Sequence, residues 1–365
     1  MAVCKGIVAL SQFEVACSIR RNRWPHTAKK RFLGGSRNDH EEHNLVNKYV
    51  ATFLLIAMVA VPCEARKVSV GVPVLDVTMS PFFIAQERGY FQKEGLEVDL
   101  VLMRGGVSNQ ALIAGGVDFS AVPTAGLQAA LQGAPLKVIF AAFNKPMFWL
   151  YSRPEIRSLK DLTGKKVAVS SLGAAGDAAL REWFKKNGMD ENRDVAILAI
   201  GTTGTRLSAL ASGTVDAAMM TFPHNLTAAE SGLRELVSFI NSDIVQLQGS
   251  VVARDALLSS DPALVEKFMR ATVKGFLFHV GNRSGTVAVL RKSLKIDENA
   301  AAKVYDLIRP AITPDGVLNE DLQKRFLAPL LERVGRKDTP PLNRFYDFSA
   351  ARKIHADLKA EGWRP

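Results

Sequence analysis

The segment GVSNQALIAGGVD at residues 106–118 returns as GTRLSALASGTVD at residues 204–216, at an offset of 98 positions. Both copies share the pattern Gly-x4-Ala-Leu-x2-Gly-x-Val-Asp. An Ala-Leu pair followed by glycine predicts a helix that packs on a sheet, ends at a left-handed glycine and leads directly into a strand. A second, shorter repeat precedes each copy: Phe91-x-Lys93-x-Gly95-Leu96 before the first and Phe184-x-Lys186-x-Gly188-Met189 before the second. The sequence therefore predicts two related α/β halves.

The chain around these repeats alternates short β-rich runs with helical stretches, which predicts an α/β fold with largely parallel strands. Strands are predicted at 67–71, 96–103, 119–122, 136–143, 166–170, 195–200 and 215–220. Helices are predicted at 81–94 with Ser80 as its cap, and at 110–114, 125–131, 176–186 and 206–211. After about residue 246 the pattern becomes helical. Asp261-Pro262 opens a helix with an apolar face of Leu264, Val265, Phe268, Met269 and Phe276, and further helices are expected near 298–309, 319–334 and 347–360.

The composition is that of a folded protein long enough for two domains, because 47% of its 365 residues are hydrophobic and 23% are charged. The formal net charge is +11, but no dense Lys/Arg block interleaved with aromatics follows residue 65, so nucleic acid is not an expected partner. Cys4, Cys17 and Cys63 are the three cysteines. This placement excludes a disulfide scaffold, a thiol nucleophile and a cysteine-ligated metal from the main body.

A leader is predicted at residues 1–65. The run from Val50 to Val61 is too short to span a bilayer, but it suits a secretory signal with Lys48 as its positive flank and cleavage after Ala65. A buried core helix is the alternative. Pro62 argues against acylation of Cys63. Residues 1–47 are polar and without periodicity, so we expect translation to start near Leu45 or Val46 and the mature protein to be periplasmic.

Candidate ligand-binding residues follow the predicted strands, because ligands of open parallel sheets bind beyond the carboxyl ends of the strands. These loops offer hydroxyls, glycines and bare backbone. Such groups hold a small polar or anionic ligand without proton chemistry. The candidates are Thr78, Ser80, Gly105, Gly106, Thr124 and Asn144 in the first half, and Ser171, Gly173, Thr202, Thr203 and Thr221 in the second.

Structural roles are the alternative for several of these residues. Ser80, Ser171 and Thr203 could cap helices, and Gly105-Gly106 could form a turn beside a solvated Arg104. His224 has no second ligand at metal-binding spacing. The sequence contains no phosphate-binding loop, no nucleophile elbow and no His-Glu-x2-His zinc pattern, so neither an enzyme nor a bound cofactor or metal is expected.

Three motifs in this order resemble a known family. They are Gly89-Tyr90-Phe91-x3-Gly95-Leu96-x-Val98, the repeated Ala-Leu-x2-Gly-x-Val-Asp, and Asp161-Leu162-x-Gly164-Lys165-Lys166-Val167-Ala168-Val169. Behind the predicted leader, they resemble the periplasmic solute-binding proteins of ABC importers of the nitrate/sulfonate/taurine type, in the NMT1/THI5-like superfamily. The resemblance covers about residues 67–310.

The resemblance implies a type II periplasmic binding protein, an α/β fold of two lobes joined by a hinge of two crossover strands, with a helical C-terminal tail. Lobe one would hold 66–152, lobe two 153–245, and residues 246–365 would return to lobe one and form the tail. The hinge strands would lie near 149–152 and 247–250. Ser80, Gly106 and Thr124 would face Ser171, Thr202, Thr203 and Thr221 across the ligand. The implied partners of this monomer are a small solute and the permease and ATPase subunits of an importer.

The loop at 171–175 has fewer hydroxyls than the family pattern, and no arginine stands at a strand end of lobe two unless Arg206 folds back. Sulfonates, nitrate, bicarbonate and a neutral aromatic such as a pyrimidine precursor therefore all stay open as ligands. A sensory ligand-binding protein that reports to a separate membrane chain is a second function of the same fold. Enzymes of this fold that make the thiamine pyrimidine carry a cysteine-rich iron motif, which the main body lacks.

Overall fold

A computed structural model describes residues 65–103 and 106–365. The predicted signal sequence, its translation start, Cys63 and the pair Arg104-Gly105 lie outside these residues.

The strands and helices of the described chain follow one another in alternation through both halves. In chain order the strands are β1 (Arg66–Val72), β2 (Leu96–Leu102), β3 (Phe119–Ser120), β4 (Leu136–Phe143), β5 (Trp149–Ser152), β6 (Lys165–Val169), β7 (Val195–Ala199), β8 (Ala217–Met220), β9 (Arg234–Ser238) and β10 (Gln248–Arg254). The α-helices are α1 (Ser80–Glu87), α2 (Tyr90–Lys93), α3 (Val107–Ala114), α4 (Pro123–Leu131), α5 (Ala175–Lys186), α6 (Thr203–Ala211), α7 (His224–Glu230), α8 (Asp255–Ser260), α9 (Pro262–Gly281), α10 (Arg283–Leu294), α11 (Glu298–Ile308), α12 (Glu320–Arg333) and α13 (Ser349–Ala360). The α/β class predicted from the sequence is confirmed.

Two five-stranded sheets have the same internal order, β2-β1-β3-β10-β4 and β7-β6-β8-β5-β9. In each, the first three strands run parallel, as predicted. The fourth strand, β10 or β5, runs antiparallel to both of its neighbours. The sheets are therefore mixed rather than purely parallel, because one strand of each sheet comes from the part of the chain that leads to or from the other sheet.

The two copies of the sequence repeat make the same structural contacts in the two halves. Gly115 ends α3 with a φ of 79°, and Gly213 follows α6 with a φ of 75°, so each adopts the left-handed conformation that glycine tolerates best. Asp118 then accepts a hydrogen bond from the backbone N of Ser69 at 2.8 Å, and Asp216 accepts one from the N of Lys166 at 2.9 Å. Each aspartate ties a strand of the sheet to the loop that precedes the neighbouring strand.

We expect Asp118→Ala and Asp216→Ala each to lower the free energy of unfolding by about 1–2 kcal/mol, because each leaves a backbone N–H of a strand without its charged acceptor. Urea denaturation measures this loss. Asparagine at either position is the matched control, since its amide oxygen still accepts, and it should cost less. Equal stability of the alanine variants and the unchanged protein would contradict the structural role.

One helix predicted at 81–94 is two helices. Gly89 has a φ of 65° and separates α1 from α2, which turns the Tyr90–Lys93 segment away from the axis of α1. Ser80 does not cap α1 through its side chain but forms its first residue, followed by Pro81. The other predicted strands and helices match the structure to within a few residues at their ends, whereas β9, α7, α8 and α10 were not predicted.

The chain crosses between the sheets twice, at 144–148 and at 239–247. The two crossing segments lie side by side. The N of Phe239 donates to the O of Phe148 at 3.0 Å, and the N of Gln246 donates to the O of Asn144 at 3.1 Å. The hinge predicted near 149–152 and 247–250 adjoins these crossings: Trp149–Ser152 and Gln248–Arg254 follow them directly and pair antiparallel within the two sheets.

The C-terminal region packs on the first sheet and its helices. Asp261 caps α9 by accepting from the N of Leu264 at 3.0 Å, as the sequence predicted. Gly275 brings α9 against α1 so closely that a Cβ there would lie 2.1 Å from the carbonyl oxygen of Pro81. The predicted apolar face of α9 is buried, at Leu264, Val265, Phe268, Met269 and Phe276. Beyond it, the N of Val138 in β4 donates to the O of Phe345, which joins the last part of the chain to the sheet edge.

Candidate functional site

The parallel strands of each sheet end on one edge, and the loops that follow them carry most of the predicted ligand-binding residues. In the second sheet, α6 follows β7 and α7 follows β8. This topology brings together Thr203, at the start of α6, and Thr221, after β8. Their hydroxyl oxygens are 2.9 Å apart, and both residues are half-buried. The neighbouring Thr202 caps α6, accepting from the N of Thr205 at 3.2 Å. The capping role considered for Thr203 therefore belongs to Thr202.

Arg206 folds back from α6 onto the strand ends, which answers the question that the sequence left open. Its Nε donates to the O of Met219 at 2.7 Å, one Nη donates to the O of Gly201, and the other donates to the hydroxyl of Thr203 at 2.9 Å. The side chain is buried, with 3% of the residue exposed. Burial lowers the pKa of Arg206 to about 10, so it still carries its charge at neutral pH.

His224 begins α7 close to this cluster. A Cβ on Gly204 would lie 3.4 Å from its Nε2, while its Nδ1 is buried without a hydrogen-bond partner within the described residues. Burial, and then the positive charge of Arg206, lowers the pKa of His224. The imidazole is therefore neutral at pH 7 and adds a polar group without a second positive charge.

The loop after β6 is more open. Ser171 and Gly173 are both exposed, and the N of Gly173 donates to Asp177 in α5 at 2.7 Å. Helix α5 begins at Ala175 with Ala174 as its N-terminal cap, so Ser171 does not cap it. The hydroxyl of Ser171 stands free of the helix at the edge of the second sheet.

At the edge of the first sheet, the loop after β1 contains an acidic residue that the sequence analysis passed over. Asp76 accepts from the N of Thr78 at 2.9 Å and from its hydroxyl at 2.5 Å. Burial raises the pKa of Asp76, against the opposing effect of the two bonds from Thr78. The Asp-x-Thr spacing, typical of a side chain that turns back on the backbone two residues later, was the available signal.

The other first-half candidates occupy different environments. Ser80 is fully buried and its hydroxyl has no hydrogen-bond partner in the described chain. Gly106 precedes α3 and is exposed, whereas Gly105 lies outside the described residues. Asn144 lies in the first crossing segment, where its N donates to the O of Ala311 at 2.8 Å. Half-buried Thr124 is the second residue of α4.

Thr124 shares a small cavity with residues of the second half. The cavity has a volume of about 30 Å³, room for about one water molecule, and it lies between the start of α4, helix α5, the second crossing segment and the C-terminal helix α12. Its wall includes Ala178, Glu182 and Gln246, and Gln246 donates from Nε2 to the O of Ala175 at 2.9 Å. The structure thus brings Thr124 close to the second half, but its predicted partners across a ligand, Ser171, Thr202, Thr203 and Thr221, do not line this cavity.

Large apolar side chains stand exposed at the same edges. Leu75 follows β1, Leu102 ends β2, Val107 begins α3 and Leu172 follows β6, and each is 50–60% exposed. In a protein whose other valines and leucines are mostly buried, such exposed side chains beside polar loops are typical of a binding surface for an organic molecule.

Within residues 65–103 and 106–365, no three His, Cys, Asp or Glu side chains come together as a metal ion would require. No helix in that part of the chain is both long and apolar enough to cross a membrane.

The family model described as NMT1/THI5 like matches residues 77–283, more than half of the chain. The chain belongs to the NMT1/THI5-like family. The chain is also similar to the riboflavin-binding protein RibY of Chloroflexus aurantiacus, which is 27% identical over 221 residues, 57% of this chain and 60% of that protein. Another relative is the 4-amino-5-hydroxymethyl-2-methylpyrimidine phosphate synthase of Aspergillus parasiticus, 26% identical over 211 residues, 53% of this chain and 60% of that enzyme. The chain thus matches less than two thirds of the length of either relative.

The fold of this NMT1/THI5-like protein is similar to that of the periplasmic aliphatic sulphonate binding protein of Escherichia coli. The two superimpose with a TM-score of 0.60 at 16% identity, covering 76% of this chain and 91% of the other. At that identity the likeness shows the fold alone, and it confirms the predicted periplasmic-binding-protein architecture. The family resemblance stated from the sequence is confirmed as well.

Proposed function

We propose that this protein is the extracytoplasmic solute-binding component of an ABC importer. It captures a small anionic or polar organic solute between its two lobes and delivers it to a permease driven by an ATPase. The observation that carries this proposal is the pair of sheet edges lined with hydroxyls and backbone N–H groups, because such groups hold a solute reversibly. The sulphonate-binding neighbour, whose name places it in the periplasm, supports the same role and location. We propose that the protein acts as a monomer.

The solute would contact Gly106, Thr124 and Asn144 on lobe one and Ser171, Gly173, Thr202, Thr203 and Thr221 on lobe two. Thr78 and Ser80 are buried behind this surface, so they support the loop after β1 rather than touch the solute in the present conformation. The exposed side chains of Leu75, Leu102, Val107 and Leu172 favour an organic solute over nitrate or bicarbonate, because an inorganic anion would leave them in water. A neutral aromatic such as a pyrimidine precursor is the second candidate that this apolar surface favours.

We also propose that the solute is bound without being transformed. The residues that would face it offer hydrogen bonds, and the three cysteines of the sequence all precede residue 64. Because one relative is named as a synthase, the absence of a chemical reaction has to be tested directly. Incubation of a bound solute with the protein should return the solute with its mass unchanged.

A thermal-shift panel with taurine, alkyl and aryl sulfonates, nitrate, bicarbonate, pyrimidines and aromatic carboxylates tests the function. A true ligand at 100 times its Kd should raise the free energy of unfolding by about 2.7 kcal/mol. Native mass spectrometry of the protein isolated from its own cells should identify a co-purified solute. No stabilisation by any member of the panel and no retained solute would contradict the proposed function.

Thr203→Ala is expected to weaken binding of the stabilising ligand about tenfold or more, because it removes a hydroxyl at the edge of the second sheet. Ser171→Ala should act in the same direction. Ser231→Ala is the matched control: it removes a hydroxyl of the same lobe that donates to the O of Thr227, at the far end of α7. Titration calorimetry measures the three affinities. A loss with Ser231→Ala as large as that with Thr203→Ala would place the ligand elsewhere.

A further inference from the structure

Arg206 holds a buried positive charge that no negative group of the described chain neutralises. Its three hydrogen bonds reach two backbone carbonyls and one hydroxyl, and in residues 65–103 and 106–365 no carboxylate forms an ion pair with it. Burying a charge without a counter-charge is costly, and such groups are normally paired. A structural clamp between α6 and β8 would not need the charge, since a neutral donor could bind the same carbonyls.

The hydrogen bonds around Arg206 leave one hydroxyl proton directed away from the cluster. Thr203 accepts from the guanidinium, and its oxygen lies 2.9 Å from that of Thr221. Each hydroxyl has one proton, and a single proton suffices for the bond between the two oxygens. The remaining proton has to be donated to a third group. Because the guanidinium donates into this pair, the pair is polarised toward donation.

Both hydroxyls lie where a ligand could reach them. Thr203 and Thr221 are half-buried at the carboxyl edge of the second sheet, while Arg206 beneath them is out of solvent. The neutral imidazole of His224 adjoins the cluster and does not supply the missing negative charge. The site therefore presents a fixed positive charge behind an outward donor, an arrangement that favours an acceptor bearing negative charge.

We infer that Arg206 is a positioning residue that makes lobe two selective for the anionic oxygen group of the solute, acting through the hydroxyls of Thr203 and Thr221 rather than by direct contact. This inference rests on the proposed function and deepens it. It assigns the anionic end of the solute to lobe two, and it leaves the apolar part to the exposed side chains around Leu102 and Leu172.

The experiment compares a charged probe with a neutral probe of the same shape. The tightest-binding sulfonate or carboxylate of the ligand panel is titrated beside its sulfonamide or amide, with benzenesulfonate and benzenesulfonamide as the first pair. The unchanged protein should prefer the anion by at least about tenfold. Arg206→Met should weaken anion binding by about 10- to 100-fold, as expected for loss of a unit charge at short range, and should change the affinity for the neutral analogue by less than about threefold.

Conservative variants separate the charge from the clamp. Arg206→Lys should recover part of the anion preference. Arg193→Met removes a positive charge from an exposed side chain of the same lobe and should leave both affinities unchanged. Thr221→Val removes a hydroxyl of the pair without touching the two carbonyl contacts of Arg206 and should also reduce the anion preference, while Thr221→Ser should keep it. Thr221→Val decides the question if Arg206→Met fails to fold.

Equal weakening of both probes by Arg206→Met would make Arg206 a purely structural clamp and overturn the inference. So would an unchanged protein that binds the neutral probe as tightly as the anion, or a Thr221→Val variant with an undiminished anion preference, and these results would leave the proposed function standing. Failure of every panel member to bind would overturn the proposed function and this inference together.

Discussion

Phe268→Ala is expected to lower the free energy of unfolding by about 3–5 kcal/mol, the range for removing a buried aromatic side chain. Phe268 lies on α9 and is fully buried. Its ring stacks on Phe119 of β3 with centroids 4.1 Å apart and on Phe91 of α2 at 5.5 Å, with Phe82 of α1 at 6.3 Å. One side chain from the C-terminal region thus joins the sheet to two helices of the first half. Denaturant unfolding followed by circular dichroism measures the loss.

Phe268→Leu is the matched control, because leucine keeps most of the volume and loses the stacking. It should cost about 1–1.5 kcal/mol. If alanine costs no more than leucine, the cavity left by the ring must collapse freely, and α9 does not have the central packing role described here.

Acidification from pH 7 to pH 4 is expected to cost about 3 kcal/mol of stability through His279 alone. The side chain is fully buried on α9, near the rings of Phe143 and Tyr305, and neither ring nitrogen has a hydrogen-bond partner within the described residues. Burial lowers its pKa from 6.5 to about 4, because the charged imidazolium would lose its hydration. Between these two pH values, His279 therefore binds a proton in the unfolded chain but not in the folded protein. Stability falls as the pH drops below about 6.5 and levels off below about 4.

His279→Leu should flatten the stability curve between pH 6.5 and pH 4 relative to the unchanged protein, a comparison that cancels the contribution of the carboxylates. His355→Gln is the control. Burial also lowers the pKa of His355, but neighbouring Asp315 opposes that shift. Urea midpoints at half-unit pH intervals provide the measurement. Parallel curves for His279→Leu and the unchanged protein would show that His279 is protonated in the folded state.

Local sequence signals predicted the elements of this fold well, because their causes are local. The glycines after α3 and α6 end those helices in the left-handed conformation, and the alternating valines at 68, 70 and 72 are buried as a strand pattern requires. Asp118 and Asp216 directly precede β3 and β8, at the amino edge of the sheets. Gly89, like Gly115, is a glycine in the left-handed conformation at a helix boundary. The prediction of one continuous helix over 81–94 overlooked it.

The partners of β5 and β10 could not be predicted in this way. Each pairs antiparallel with strands from a distant part of the chain, and pairing over such separations is set by the packing of whole halves rather than by local pattern. The crossing segments 144–148 and 239–247 directly precede β5 and β10, the strands near which the hinge was predicted.

The candidate site was predicted as a set of loops, and its chemistry depended on side chains whose direction the sequence does not specify. Thr203 and Thr221 are 18 positions apart, and only the fold brings their hydroxyls together. Arg206 could equally have pointed to solvent from α6. Ser80 had the residue type and position of a cap but became a buried residue of the first turn.

The paired crossing segments restrict how the two lobes can move. A single tether would let one lobe swivel and bend about many axes, whereas two strands of chain bonded to each other at Phe148–Phe239 and Asn144–Gln246 form a ribbon with one easy bending direction. If the lobes close on a solute as proposed, this ribbon leaves one soft direction of motion, and each closure would return the same two surfaces to the same alignment. Less of the binding free energy would then be spent on assembling the site.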